Sequence, residues 1–174
     1  VNDILIPALD SAGKLFEQGK IFLPQLIQTA SVAQAAFEVI KTTLIERNAA
    51  PVSRGEIVLA TVKGDIHDIG KNIVRVLLEN YGYTVLDLGR DVPCQLVADT
   101  AKEHGVKLVG LSALMTTTLG AMEETIQLVK ASCPDCKIVV GGAVLTADYA
   151  EKIGADYYAK DAMETVAVAK EVVG

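Results

Sequence analysis

A carboxylate and an imidazole stand two residues apart in the segment Val62-Lys63-Gly64-Asp65-Ile66-His67-Asp68-Ile69-Gly70-Lys71-Asn72. A neutral imidazole is a ready metal ligand. A ligating histidine commonly gives its other ring N–H to a carboxylate or carbonyl, which fixes the tautomer and raises the basicity of the ligand. Asp65 is placed to act as that partner. Gly70 lets the backbone approach a bulky ligand closely as the next helix opens. An isolated Asp-x-His is more often a loop histidine next to a helix-capping aspartate. Here the flanking Gly64 and Gly70, together with the buried strand that precedes them, favour a ligand site. Two further segments carry hydroxyls or glycines suited to line such a site: Ser112-Ala113-Leu114-Met115-Thr116-Thr117-Thr118 and Gly141-Gly142-Ala143.

These segments are positioned by an alternation of short β-branched runs with helical stripes. The runs are Ile57 to Thr61, Thr84 to Leu88, Leu108 to Leu111, Lys137 to Val140 and a weaker one from Tyr157 to Ala159. Between them lie stripes such as Ile69, Ile73, Leu77 and Tyr81, or Leu119, Met122, Ile126 and Val129. Strands alternating with helices imply βαβ units and right-handed crossovers. The expected fold is α/β, a flavodoxin-like, five-stranded, parallel, doubly wound sheet in the order 2-1-3-4-5. Ligands in such sheets bind at the carboxyl ends of the strands, so the segments after strands one, three and four face one crevice. No phosphate-binding glycine fingerprint follows strand one. A phosphorylatable receiver needs an aspartate at the end of strand three, where Ser112 stands.

The first part of the chain reads as a helical hairpin. Leu5, Leu9, Ala12 and Phe16 form one amphipathic stripe; Leu26, Ala30, Ala33, Phe37, Ile40 and Leu44 form a second. Gly19 suits a left-handed cap and Pro24 the first turn of the second helix. A hairpin alone exposes too much apolar surface, so it packs on another body or belongs to a larger bundle. The segment from Asn48 to Gly55 reads as a linker. The expected organisation is residues 1–48 as part of a helical-bundle cap, 49–55 as linker and 56–174 as the α/β domain.

Composition bounds the function. Hydrophobic residues make up 51% of the 174, enough for a core, while aromatics are 5% and Trp is absent. The net charge is -6 and the lysines are scattered, so no nucleic-acid-binding patch is expected. No apolar run approaches the roughly 20 residues of a membrane helix. Asn2 and Asp3 do not suit a signal peptide, and three cysteines do not suggest a disulfide framework. A cytoplasmic location follows as the expectation, and Val1 in place of Met points to a fragment or a processed chain.

The stretch Gly64-Asp65-Ile66-His67-Asp68-Ile69-Gly70-Lys71-Asn72 resembles the signature of cobalamin-binding modules. Ser112-Ala113-Leu114-Met115-Thr116 and Gly141-Gly142 resemble the other two parts of that pattern. Glu17-Gln18-Gly19-Lys20-Ile21-Phe22-Leu23-Pro24-Gln25 is similar to the helical cap of cobalamin-dependent methionine synthase. The likeness spans essentially the whole chain, with the last two of four cap helices represented. It implies a Rossmann-like domain that binds cobalamin, as methylcobalamin or cob(I)alamin. The cofactor's own base is displaced and its nucleotide tail is threaded into the domain.

By that resemblance His67 is the metal ligand on the lower face, Asp65 hydrogen-bonds it, and Thr118 extends the relay where the methionine synthase pattern has serine. These three are the expected catalytic residues. Gly64, Ile66, Asp68, Gly70 and Leu114 belong to the matched cofactor-binding motifs. Ser112 and Thr116 match positions near the buried base, Gly141 and Gly142 leave room for the tail, and Ala162 matches a further contact. Phe22 and Val32 match residues that shield the methyl–cobalt face. The implied activity is methyl transfer from methyltetrahydrofolate to homocysteine, with the chain inactive alone and dependent on folate- and homocysteine-binding modules and a reactivation domain. The alternative is a stand-alone corrinoid protein serving separate methanol, methylamine or O-demethylase methyltransferase subunits. A mutase subunit or a cobalamin-binding sensor fits less well, because mutases need no methyl-shielding cap and no DNA-binding segment is evident.

The remaining signals are weaker. Cys133-Pro134-Asp135-Cys136 lacks the further ligands a zinc site needs and reads as a loop before strand four. Cys94 reads as a packing residue. His104 reads as a helix-end residue, and Met115, Met122 and Met163 as filler.

Overall fold

The computed structural model describes residues 4–46 and 53–174. Two helices come first, α1 (Leu5–Glu17) and α2 (Leu23–Glu46). The alternating part follows as β1 (Glu56–Thr61), α3 (Ile69–Asn80), β2 (Thr84–Asp87), α4 (Cys94–His104) and β3 (Leu108–Ser112). It continues with a 3-10 turn (Thr116–Thr118), α5 (Leu119–Ser132), β4 (Lys137–Gly141), α6 (Ala147–Lys152), β5 (Tyr157–Tyr158) and α7 (Ala162–Val172).

The five strands are all parallel and lie in the order β2-β1-β3-β4-β5, the expected flavodoxin-like arrangement. Alternate residues feed opposite faces, as the two-residue period of a strand requires. Val58, Ala60, Val109, Leu111, Ile138 and Val140 pack with α4 and α5 on one side. Ile57, Leu59, Leu108 and Val139 face α3 and α7 on the other. Register aligns the strand ends: Thr61 is level with Ser112, and Ser112 with Gly141. The loops after β1, β3 and β4 therefore leave the sheet side by side. β2 stops at Asp87, one residue short of expectation, because the chain turns at Gly89, whose φ of 87° is left-handed.

Gly19, at φ 67°, makes the turn between α1 and α2, and Pro24 occupies the first turn of α2. The buried stripe of the hairpin (Leu9, Ala12, Leu26, Ala30 and Ala33) joins the same core as Leu77, Leu78, Tyr81 and Met163. Gly13 permits this approach, since a methyl group there would run into the Met163 side chain. Lys170 of α7 pairs with Asp10 of α1 and sits 4.5 Å from the centre of the Tyr81 ring. The hairpin is thus seated on α3 and α7. The side chains of Phe37 and Leu44 in the expected seam, and linker residues 48–52, lie outside the described residues.

Candidate functional site

The loop after β1 closes into a tight turn: the Asp65 N–H donates to the Val62 carbonyl at 3.0 Å, and Gly64 sits at φ 84°. The turn carries the Asp65 side chain into the protein, where it is fully buried. One carboxylate oxygen accepts the His67 backbone N–H at 3.0 Å and lies 2.8 Å from His67 Nδ1. The other accepts the Leu114 and Met115 backbone N–H groups at 2.7 and 3.1 Å and the Thr118 hydroxyl at 3.1 Å. Asp65 thereby ties the loop after β1 to the loop after β3. Burial opposes its ionisation. The donors from His67, Leu114 and Met115 outweigh burial and hold the carboxyl well below the usual carboxylate range.

An ionised carboxylate only accepts, so the proton between the two side chains belongs to His67 Nδ1. In the neutral imidazole this leaves Nε2 with the lone pair. The His67 side chain is 46% exposed and lines the mouth of the main cavity. Asp65 is not a helix cap, because α3 starts at Ile69 with Asp68 in the capping position. The Thr118 hydroxyl also lies 2.8 Å from the Met115 carbonyl. It has one proton for two acceptors, so its support of Asp65 is shared.

The cavity measures about 810 Å³. It runs from His67 along the sheet face of Leu59, Gly110 and Val139, between α3 and α7, under Phe16, Leu23 and Leu26 of the hairpin. Its mouth carries exposed apolar side chains, Ile66, Ile69 and Leu114. Gly142, at φ 135°, is required by crowding, since a Cβ there would strike the Ala113 carbonyl. Gly70 has the opposite environment: apart from its chain neighbours and its own helix backbone, no atom lies within 4 Å of where its Cβ would be. Among the described residues no three His, Cys, Asp or Glu side chains gather to hold a bare metal ion. His67 therefore offers one ligand, and a metal held there must bring its other ligands with it.

The structure brings Ile66, His67, Asp68, Gly70, Ser112, Leu114, Gly141, Gly142 and Ala162 to the cavity wall. Asp65 and Thr118 stand behind His67. Gly64 belongs to the supporting turn, and Thr116 is exposed at the start of the 3-10 turn, outside the lining. Phe22 and Val32 are 74% and 72% exposed and do not line the cavity. Phe22 lies in the turn before α2, with its N–H bonded to Gln25 Oε1 at 2.8 Å. Phe16, Leu23 and Leu26 are the hairpin residues at the cavity. Phe16 and Leu26 carried a sequence signal, but only that of core stripes.

Sequence reasoning also passed over Lys71, whose side chain is buried at the cavity wall and pairs with Asp87 at 2.5 Å. A lysine opening an amphipathic helix ordinarily reads as solvated, and only the fold brings Asp87 to it. Asp87 also accepts the Gly89 N–H at 2.9 Å and a hydrogen bond from Arg75 at 3.3 Å.

Of the weaker signals, Met163 lines the cavity, while the cysteines and His104 lie away from it. Cys133 and Cys136 close a turn before β4, at the opposite end of the sheet, and burial pushes the Cys136 thiol up to about 12. Cys94 is buried at the start of α4. His104 ends α4 and pairs with Glu56 at 3.0 Å. Among the described residues no helix is long and apolar enough to cross a membrane.

Residues 55–167 match the family described as B12 binding domain, and residues 1–41 match a second family of the same description. The dimethylamine corrinoid protein 1 of Methanosarcina acetivorans is 44% identical over 171 residues, spanning 97% of this chain and 80% of that protein. A solved cobalamin-binding protein from Desulfitobacterium hafniense superposes with a TM-score of 0.79 at 36% identity, over 95% of this chain and 78% of that one. The methanol:cobalamin methyltransferase complex MtaBC from Methanosarcina barkeri contains a chain matching with a TM-score of 0.84 at 31% identity, over 99% of this chain and 66% of that one.

Proposed function

The chain belongs to the B12 binding domain family and binds cobalamin, and from that premise we propose that it is a stand-alone methyl-carrying corrinoid protein that serves a separate methyltransferase subunit, with methylated amines as the methyl source. The Asp65–His67 pair at the mouth of the cavity carries the corrinoid-binding part of the reading, and the similarity to the dimethylamine corrinoid protein supports the separate-subunit part.

The residues present fit the cofactor. His67 would hold the metal through a ring nitrogen, Ile66, Ile69 and Leu114 would offer an apolar rim to the corrinoid, and the cavity along α3 and α7 would have room for a nucleotide tail. When bound, the corrinoid supplies a cobalt centre that accepts and donates a methyl group. The protein's part is binding and electronics. Asp65 retains the Nδ1 proton and keeps the imidazole basic, Thr118 shares its hydroxyl between Asp65 and Met115, and Phe16, Leu23 and Leu26 close the cavity from the hairpin side. The hairpin must yield for a partner to reach the cofactor.

The methionine synthase reading rested on residues 17–25. The relatives support separate-subunit corrinoid proteins instead, and they give no support to folate- and homocysteine-binding partners or to a role in methionine biosynthesis. Similarity to the chain in MtaBC keeps methanol as the second donor class.

The test is a methyl-loading assay. The protein is reconstituted with cobalamin, reduced, and offered dimethylamine with its methyltransferase, methanol with its methyltransferase, or methyltetrahydrofolate with a folate-binding module. Conversion to the methylcobalamin spectrum with dimethylamine supports the proposal. Conversion with the folate module alone would return the methionine synthase reading.

A further inference from the structure

Among the described residues Asp91 is the one non-glycine at positive φ, 52°. An L-residue in that conformation costs about 1–2 kcal/mol, and aspartate is among the few that adopt it with local hydrogen bonds in return. Asp91 makes two hydrogen bonds, both to the distant loop that carries His67. Its carboxylate accepts the Gly64 N–H at 2.7 Å, and its own N–H donates to the Asp65 carbonyl at 2.9 Å. It grips Gly64 and Asp65 from outside while the buried Asp65 carboxylate is gripped from inside by Leu114 and Met115.

The segment that presents Asp91 is itself fixed. After β2 ends, the Thr61 N–H donates to the Gly89 carbonyl at 3.0 Å and the Val92 N–H to the Thr61 carbonyl at 3.1 Å, and Val62 bridges Val92. Residues 89–92 thus extend the pairing of β1 and β2 past the end of the sheet. Gly64 is where the chain turns at φ 84°, a conformation with freedom in both directions unless its N–H is held.

We infer that Asp91 is a positioning residue for the lower axial ligand: by holding the Gly64 N–H it fixes the turn that aims Asp65, and through Asp65 the His67 imidazole, at the cobalt. The inference rests on His67 serving as that ligand. Asp91 and Gly64 are both exposed, so water can satisfy the groups freed by a substitution. The expected loss is therefore in orientation, with little change in thermal stability.

The test is the visible spectrum of the methylcobalamin-loaded protein at fixed pH, calibrated between wild type and His67→Gly, with bound cofactor quantified. Asp91→Ala and Asp91→Gly are expected to lower the equilibrium constant for imidazole coordination by about tenfold, the effect of losing one hydrogen bond to a charged acceptor. Asp91→Asn, which keeps an acceptor oxygen and tolerates the left-handed conformation, is expected to retain coordination. A His67→Gly spectrum identical to wild type would overturn the ligand assignment itself. Wild-type coordination in both Asp91→Ala and Asp91→Gly, with His67→Gly distinct, would overturn the role of Asp91 alone. So would equal loss in Asp91→Asn, or loss in Asp91→Ala with retention in Asp91→Gly, which would assign the effect to backbone conformation.

Discussion

At the scale of single residues the site turns on how many donors one buried carboxylate serves. Asp65 accepts from His67 twice and from Leu114, Met115 and Thr118 once each. An asparagine keeps one acceptor oxygen and turns two hydrogens toward the remaining donors. Asp65→Asn is expected to cost about 3 kcal/mol in stability, measured by urea denaturation, and to weaken imidazole coordination in the loaded protein. Thr118→Ala is expected to cost no more than about 1 kcal/mol, because its proton is already shared with Met115. The identities of Asp65 and His67 were legible from residue type and spacing. The strength of their arrangement was not, since Leu114 and Met115 act through backbone N–H groups that carry no side-chain signature. Burial likewise decides the cysteines. With its thiol pushed up to about 12, Cys136 is expected to resist alkylation in the native protein while the partly exposed Cys133 reacts, as mass spectrometry of the modified protein would show.

At the scale of elements, the start of α3 is pinned to the end of β2 by Lys71 and Asp87. Burial pushes the Asp87 carboxyl up, but Lys71, the Gly89 N–H and Arg75 outweigh it, and the net shift is downward. A folded-state value below the unfolded one, about 3.9, stabilises fully at neutral pH and loses that contribution as pH falls below about 4. Lys71→Met is therefore expected to lose about 3 kcal/mol near neutral pH, where it leaves a half-satisfied carboxylate, and distinctly less in acid, where Asp87 is neutral in both proteins. Urea denaturation of the two proteins at each pH measures the difference, and an equal loss at both would contradict the ion-pair account. Periodicity was enough to read the strands, because β1, β3 and β4 are apolar runs buried on both faces, and the order followed from the doubly wound fold class. The division of labour in the hairpin was beyond it. Phe16 and Leu26 line the cavity and Phe22 and Val32 do not, a difference set by how the hairpin packs on α3 and α7.

At the scale of the whole molecule, one sheet separates two cores, and the hairpin completes the core on the side where the cavity lies. On the proposed function the cofactor site would be a junction: the strand ends would supply the ligand, α3 and α7 the tail cavity, and the hairpin the cover. That arrangement suits a carrier whose covered group is passed to a partner. Its central claim is that His67 occupies one axial position of the metal. Electron paramagnetic resonance of the cob(II)alamin-loaded protein, grown with ordinary or heavy-nitrogen-labelled histidine, tests it most directly. The account predicts that the nitrogen coupling on each cobalt line changes from a triplet to a doublet on labelling, because the coordinating atom is a histidine nitrogen. A triplet that persists in the labelled protein would show that the axial nitrogen belongs to the cofactor's own base and would contradict the account.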